Sequence, residues 1–175
     1  MGGLHAAMVA SLTSFPLGLV AWMAPPSAIP AFVDGLLAES CDWNSLSSDE
    51  KFKAVKTMMF TQSTDLLGTE DAKSVLGKFL ELSNIQSFPK PAHPQAAIIA
   101  VAAHDEYIGS VTKEWQETCS AWEGGAIKHL PVGHVSGILF ESHRFVKAIE
   151  QMIDVNATHP EVINFIKTDQ NKNKK

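Results

Sequence analysis

The sequence predicts an α/β fold, with a parallel sheet of about three strands flanked by helices. Three short apolar runs indicate the strands, because a parallel strand covered on both faces carries few polar residues. Segments with apolar residues at helical spacing separate these runs, and this alternation predicts parallel pairing with right-handed crossovers. The runs are residues 17–23 (LGLVAWM), 96–103 (AAIIAVAA) and 126–132 (AIKHLPV).

The first predicted element is a helix over residues 2–14, whose alanines permit close packing. The Phe15-Pro16 pair ends it, because a residue that precedes proline is disfavoured in the helical region. The strand over residues 17–23 follows. Three strands with a helix at each end form about half of a doubly wound sheet, so this order predicts part of a larger α/β arrangement.

Residues 25–94 differ from the rest because they carry helical periodicity and proline-rich connections but no strand pattern. Ser47 and Glu50 have the spacing of a capping box, which predicts a helix that starts there. We therefore predict a helical insertion, or cap, over 25–94. The partial core comprises 1–24 and 95–168, and residues 169–175 form a disordered tail.

The later part of the core has the clearest helix–strand alternation. Residues 111–122 are amphipathic and are followed by two glycines, which commonly end helices. After the third strand, residues 136–153 predict one long helix. Residues 158–166 predict a short last helix before the tail.

Composition excludes several classes of protein. The net charge of −5 and the pI of about 5.8 argue against a nucleic-acid-binding protein, since such proteins present clustered basic residues. The two cysteines, Cys41 and Cys119, have no spacing typical of a metal site or a disulfide framework, so we expect reduced intracellular thiols. We expect neither a metal nor an organic cofactor.

The apolar N-terminal region resembles neither a signal peptide nor a membrane span. Residues 1–33 contain no lysine or arginine, which a signal peptide requires. Residues 16–38 are apolar but contain four prolines and Asp34, which a spanning helix would not easily accommodate. We therefore expect an intracellular protein, in a compartment that the sequence does not specify, with at most peripheral contact with a membrane.

Polar residues follow two of the predicted strands. His104, Asp105 and Glu106 come after the second, and His134 comes after the third. Because the carboxyl ends of parallel strands meet at one edge, this spacing suits a histidine base oriented by a carboxylate. The same spacing is compatible with purely structural roles for Asp105 and His134, and the residues alone leave both interpretations open.

Four short motifs, taken in order, resemble those of the α/β-hydrolase superfamily, and most closely the family of α/β-hydrolase domain-containing protein 18. They are MGG (1–3), GLLAESCDW (35–43), HDEYI (104–108) and VGHVSGILF (132–140). In this family a nucleophile elbow of the form G-x-S-M-G-G joins a strand to a helix of small residues. The resemblance covers residues 1–155 and implies the C-terminal half of an α/β-hydrolase fold with a helical cap.

The resemblance also implies roles for individual residues. Asp105 would be the acid and His134 the base of a Ser-His-Asp triad. The backbone N–H of Met1 would line the oxyanion hole, and the nucleophilic serine would immediately precede Met1. Residues 25–94 would shape a pocket for an acyl-ester or lipid-like substrate.

On this interpretation the chain lacks its nucleophile and is inactive alone, as a truncated product or gene-model fragment. No serine within the chain is a convincing substitute. Ser11 and Ser14 lie too far along the first helix, Ser27 belongs to the cap entrance, and Ser136 is better explained as a helix cap. The alternative function is a non-catalytic product, or a pseudo-hydrolase that binds a partner protein.

Overall fold

A computed structural model of the chain describes residues 2–60 and 72–172. Within these residues, three strands form one parallel sheet in the order β1-β2-β3, which confirms the predicted fold class. The strands are β1 (Leu19–Trp22), β2 (Ala97–Ala102) and β3 (Ala126–Leu130). All six residues of the central strand β2 are buried, as expected for a strand with a neighbour on each side and helices on both faces.

Helices surround this sheet. Those of the described residues are α1 (Gly2–Leu12), α2 (Leu36–Glu39), α3 (Trp43–Ser48), α4 (Glu50–Phe60), α5 (Ala72–Leu80), α6 (Thr112–Ala121), α7 (His134–Phe140), α8 (Ser142–Asn156) and α9 (Pro160–Lys172). A π-helical turn spans Pro30–Asp34, and short 3-10 turns span Glu81–Ser83, Ile85–Ser87 and Pro94–Ala96.

One face of the sheet packs against α1 and α6. Ala7 and Ala10 of α1 and Trp115 of α6 are buried in the same apolar cluster as Ile99 of β2. Gly3 lets the start of α1 lie directly against the end of β1, because a Cβ at this position would come within 2.7 Å of the Ala24 side chain. The Trp115 indole donates a hydrogen bond of 2.8 Å to the Ala24 carbonyl, which ties α6 to the same point.

The opposite face packs against α8. Ala100, Leu130 and Met23 form a second buried cluster. Trp22 packs against this cluster and makes an edge-to-face contact with Phe145 of α8, with ring centroids 5.3 Å apart. Both faces of the sheet are therefore covered, and the carboxyl edge remains as the place for a site.

The described residues between 25 and 94 form helices and turns. Their two ends are joined where Ile85 N–H donates to the Pro26 carbonyl and Ala28 N–H donates to Ser83 Oγ, both at 2.8 Å. Gly35 lies directly against the backbone carbonyl of Tyr107, an approach that any Cβ would prevent. The division into core and cap stays a prediction, but this segment contacts the loop that carries Asp105.

Three details of the sequence prediction were wrong. The long helix over 136–153 is two helices, because Glu141 leaves the helical region (φ −101°, ψ 21°) while the apolar spacing continues across it. The helix α4 is capped by Asp49, whose side chain accepts the Phe52 N–H at 2.9 Å, and not by Ser47. The last helix continues to Lys172, so residues 169–172 of the predicted tail (169–175) are helical, while residues 173–175 lie outside the described residues.

Candidate active site

The loops that follow β2 and β3 run side by side at the carboxyl edge of the sheet. Backbone pairing continues past both strands, through hydrogen bonds from Ala103 N–H to Leu130 and from His104 N–H to Val132. This pairing brings the next residues of the two loops together. Asp105 Oδ2 and His134 Nδ1 are 2.7 Å apart, so the structure joins the acid and the histidine that the sequence singled out.

Asp105 is buried, and both of its carboxylate oxygens have hydrogen-bond partners. Its Oδ1 accepts the backbone N–H groups of Tyr107 and Ile108, at 3.0 and 3.1 Å. Its Oδ2 is left for His134. Because one oxygen is fixed by the backbone of its own turn, the carboxylate cannot rotate away from the imidazole without losing two hydrogen bonds.

His134 is the first residue of α7, and its side chain is 22% exposed. An ionised carboxylate only accepts hydrogen bonds, so the proton of the neutral imidazole lies on Nδ1 and the lone pair on Nε2. The Tyr107 ring packs over the imidazole, with centroids 5.2 Å apart and planes tilted by 35°. The ring is thus held at one nitrogen and over one face.

Ser136 stabilises the start of α7. Its Oγ accepts the N–H of Gly133, the N-cap residue, at 3.1 Å, and its hydroxyl donates to the Gly133 carbonyl oxygen at 3.2 Å. The prediction that Ser136 serves as a helix cap is therefore confirmed. These hydrogen bonds hold Gly133, the residue that immediately precedes His134.

Two cavities meet at His134. The first is open, with a volume of about 480 Å³, and its lining includes the polar residues His104, Glu106 and Ser136. The second is smaller, about 100 Å³, and mainly apolar, with Phe32 and Leu37 of the predicted cap in its wall. Tyr107 and His134 line both cavities and separate them.

Sequence reasoning missed two residues of this site. Tyr107 lies within the HDEYI motif, but nothing in the pattern indicated that its ring covers His134. Met23 ends the first apolar run and has a positive φ of 46°, which is uncommon for a residue with a side chain. Its side chain lines the small cavity and lies against Gly137 of α7. A bulky residue immediately after a buried strand was the only available signal.

The remaining candidates lie elsewhere. Met1, predicted to line the oxyanion hole, is outside the described residues. His104 is exposed and lines the open cavity, whereas Ser11, Ser14 and Ser27 line neither cavity. Within residues 2–60 and 72–172, no group of three or more His, Cys, Asp or Glu side chains is arranged to hold a metal ion. In the same part of the chain, no helix combines the length and apolar character needed to cross a membrane.

The parallel sheet, with an acid and a histidine paired at its carboxyl edge, defines the class of α/β proteins that hold their functional residues in the loops after the strands. A model of the family described as alpha/beta hydrolase domain containing 18 matches residues 1–155. The chain therefore belongs to this family of α/β-hydrolases.

Other comparisons add little. No curated protein sequence matches the chain. Among solved structures, the chain is similar to the enol-lactonase from Burkholderia xenovorans LB400, with 14% sequence identity and a TM-score of 0.45. The match covers 88% of this chain and 63% of the length of the lactonase.

Proposed function

We propose that the protein is a serine hydrolase that cleaves acyl esters, with His134 as the general base and Asp105 as the residue that orients it. The observation that carries this proposal is the 2.7 Å contact between Asp105 Oδ2 and His134 Nδ1. It leaves Nε2 to accept a proton from a nucleophile, which is the arrangement that acyl transfer requires.

The proposed nucleophile is a serine joined directly to Met1 in a longer form of the protein, and the N–H of Met1 is one oxyanion donor. The serine hydroxyl attacks the ester carbonyl while His134 Nε2 takes its proton. The resulting imidazolium is stabilised by the Asp105 carboxylate and by the face of the Tyr107 ring. His134 then gives the proton to the departing alcohol, and water releases the acyl group by the same route.

The two cavities differ in polarity, which supports a substrate ester with an apolar acyl group and a polar alcohol group. The apolar cavity of about 100 Å³ suits the first carbons of an acyl group, since a cavity of about 150 Å³ accommodates benzene. The open cavity, with His104 and Glu106 in its wall, suits a polar alcohol. We therefore propose an acyl-ester or lipid-like small molecule as substrate, with no nucleic-acid partner and at most peripheral contact with a membrane.

Fluorophosphonate labelling and p-nitrophenyl ester hydrolysis test the proposal. The 175-residue chain should give neither signal, and a form extended at its N-terminus by a strand and Gly-Xaa-Ser should give both. In the extended form, His134→Ala should abolish labelling. Asp105→Asn should lower kcat by about 10⁴-fold, because an amide N–H favours the wrong imidazole tautomer.

His143→Ala serves as the matched control, because this exposed histidine of α8 lines neither of the two cavities at His134. It should retain most of the activity. Labelling of the extended form that survives His134→Ala would contradict the proposed role of the pair.

A second candidate function is non-catalytic binding of a partner protein. It is favoured by β1, which within the described residues pairs only with β2 and leaves its other edge without a strand. Such an edge offers backbone groups to a strand from another chain. An extended form that folds and yet neither labels nor hydrolyses esters would favour this function.

A further inference from the structure

A third cavity, separate from the two at His134, lies between β3 and α8. Its volume is about 260 Å³, and it is lined by Trp22, Lys128, His129, Leu130, Arg144 and Lys147. Three of these six residues are cationic, although the chain as a whole has a net charge of −5. Leu130 is buried and Trp22 half-buried, so the cavity has an apolar wall beside its cationic one.

The positive charge at this cavity is largely uncompensated. Lys128 Nζ donates to the neutral amide of Gln151 at 2.6 Å. Arg144 pairs through Nε with Glu141 at 2.9 Å, which leaves its terminal guanidinium nitrogens available. The side-chain ammonium of Lys147 has no ion pair or hydrogen bond with any other residue that the structure describes. Of the three cations in this lining, only Arg144 has a carboxylate partner among the described residues, so the surplus is about two charges.

Cations gathered at a cavity repel one another, and a bound anion relieves that repulsion. A guanidinium with free terminal nitrogens can form two parallel hydrogen bonds to a phosphate, while lysines act as point charges around it. The surplus matches a phosphate better than a single carboxylate. Trp22 and Leu130 would contact an organic group attached to it.

We propose that this cavity binds the phosphate group of an organic phosphate. Its volume exceeds the roughly 150 Å³ that accommodates benzene, so it has room for a phosphate and several attached carbon atoms. The phosphate could come from a soluble metabolite or from a phospholipid head group. Phe145 and Val146 of α8, which are 37% and 50% exposed, lie next in sequence to two of the cationic residues and would contact acyl chains in the second case.

The experiment uses the full 175-residue chain in two arms at constant ionic strength. In the first, inorganic phosphate is titrated while amide and indole signals are followed by nuclear magnetic resonance. In the second, sedimentation is measured with phosphatidylcholine vesicles that do or do not contain phosphatidic acid. The test variant is Arg144→Gln/Lys147→Gln. The charge-matched control is Lys113→Gln/Lys167→Gln, which alters exposed lysines on α6 and α9. Circular dichroism verifies that both variants fold.

We expect saturable shifts of the Trp22 indole and the residue 128–130 amides, with binding about twentyfold weaker in the test variant and within twofold of wild type in the control. Saturable binding of inorganic phosphate indicates a soluble ligand. Binding only to phosphatidic acid vesicles, with the same dependence on Arg144 and Lys147, indicates a lipid head group. Absence of binding in both arms, shifts located elsewhere, or equal weakening in both variants would overturn the proposal.

Discussion

The sheet core and the predicted cap are stabilised in different ways. In the core, the whole of β2 is buried and Trp115 is completely inaccessible to solvent. In the cap, neither α3 nor the described side chains of α4 include a buried residue. The core depends on apolar burial, which is worth about 1.5–3 kcal/mol for each large side chain. The outer cap helices depend on local contacts at their ends.

The proposed roles at the site are also divided between these two regions. Asp105 and His134 lie on loops fixed by adjacent buried strands, as a proton-transfer pair requires. Phe32 and Leu37, which line the apolar cavity, come from the cap. Substrate selection would therefore depend on the predicted cap, through a part that packs against the core cluster, and proton transfer on the sheet core.

Replacing Trp115 should give the largest effect, because it removes the main side chain between α6 and the sheet. Trp115→Ala should lower the free energy of unfolding by about 4 kcal/mol. Trp115→Phe should cost about 1–2 kcal/mol, since it keeps most of the apolar area but loses the hydrogen bond to Ala24. Urea denaturation followed by circular dichroism measures both.

Trp43 in the cap is the matched control. Its indole also donates to a backbone carbonyl, that of Ala38 at 3.1 Å, but its side chain is only half-buried. Trp43→Phe should cost less than about 1 kcal/mol. Equal losses for Trp43→Phe and Trp115→Phe would remove the distinction between the two regions.

The sequence was informative where structure follows a regular period. The apolar runs located all three strands that the described residues contain. Strand-end spacing made Asp105 and His134 candidates but left structural roles open, and only the resemblance to α/β-hydrolases implied that they form a pair, as the 2.7 Å contact between them shows. Helical spacing did not show the break at Glu141, because apolar residues continue on both sides of it. The ring contact between Tyr107 and His134 and the positive φ of Met23 depend on tertiary packing, which periodicity does not encode.

The two cysteines extend the comparison to chemical reactivity and pH. Burial raises the pKa of the Cys119 thiol from 9.0 to about 11. Below pH 9 the thiol is protonated in both states, but between pH 9 and 11 only the unfolded chain releases its proton. The free energy of unfolding therefore falls as the pH rises through this range, by about 1 kcal/mol, less than the full linkage value because some solvent contact remains.

Cys119→Ala should remove this part of the pH dependence. The amount by which its free energy of unfolding lies below that of wild type should therefore shrink between pH 9 and 11. Urea titrations at several pH values measure the difference. At pH 8, iodoacetamide should modify half-buried Cys41 of the cap in the folded chain and reach Cys119 only after unfolding. A difference in the free energy of unfolding that stays constant between pH 9 and 11, or equal alkylation of both thiols in the folded chain, would contradict the burial of Cys119.

The smallest effect is expected at the N-terminus of α3, in the cap. The Asp42 side chain accepts the Ser45 N–H at 3.0 Å and the Ser45 hydroxyl at 2.7 Å, and these bonds lower the pKa of the carboxyl group. Because the pKa is lowered, the hydrogen bonds of Asp42 stabilise the start of α3 fully above the ordinary pKa of 3.8, and this stabilisation is lost as the pH falls below it. Asp42→Ala should therefore reduce hydrogen-exchange protection of the Ser45 amide several-fold near neutral pH and leave global unfolding almost unchanged. If it instead lowered the denaturation midpoint as much as a core substitution does, α3 would have to unfold together with the sheet, and the cap would not be the less stable region.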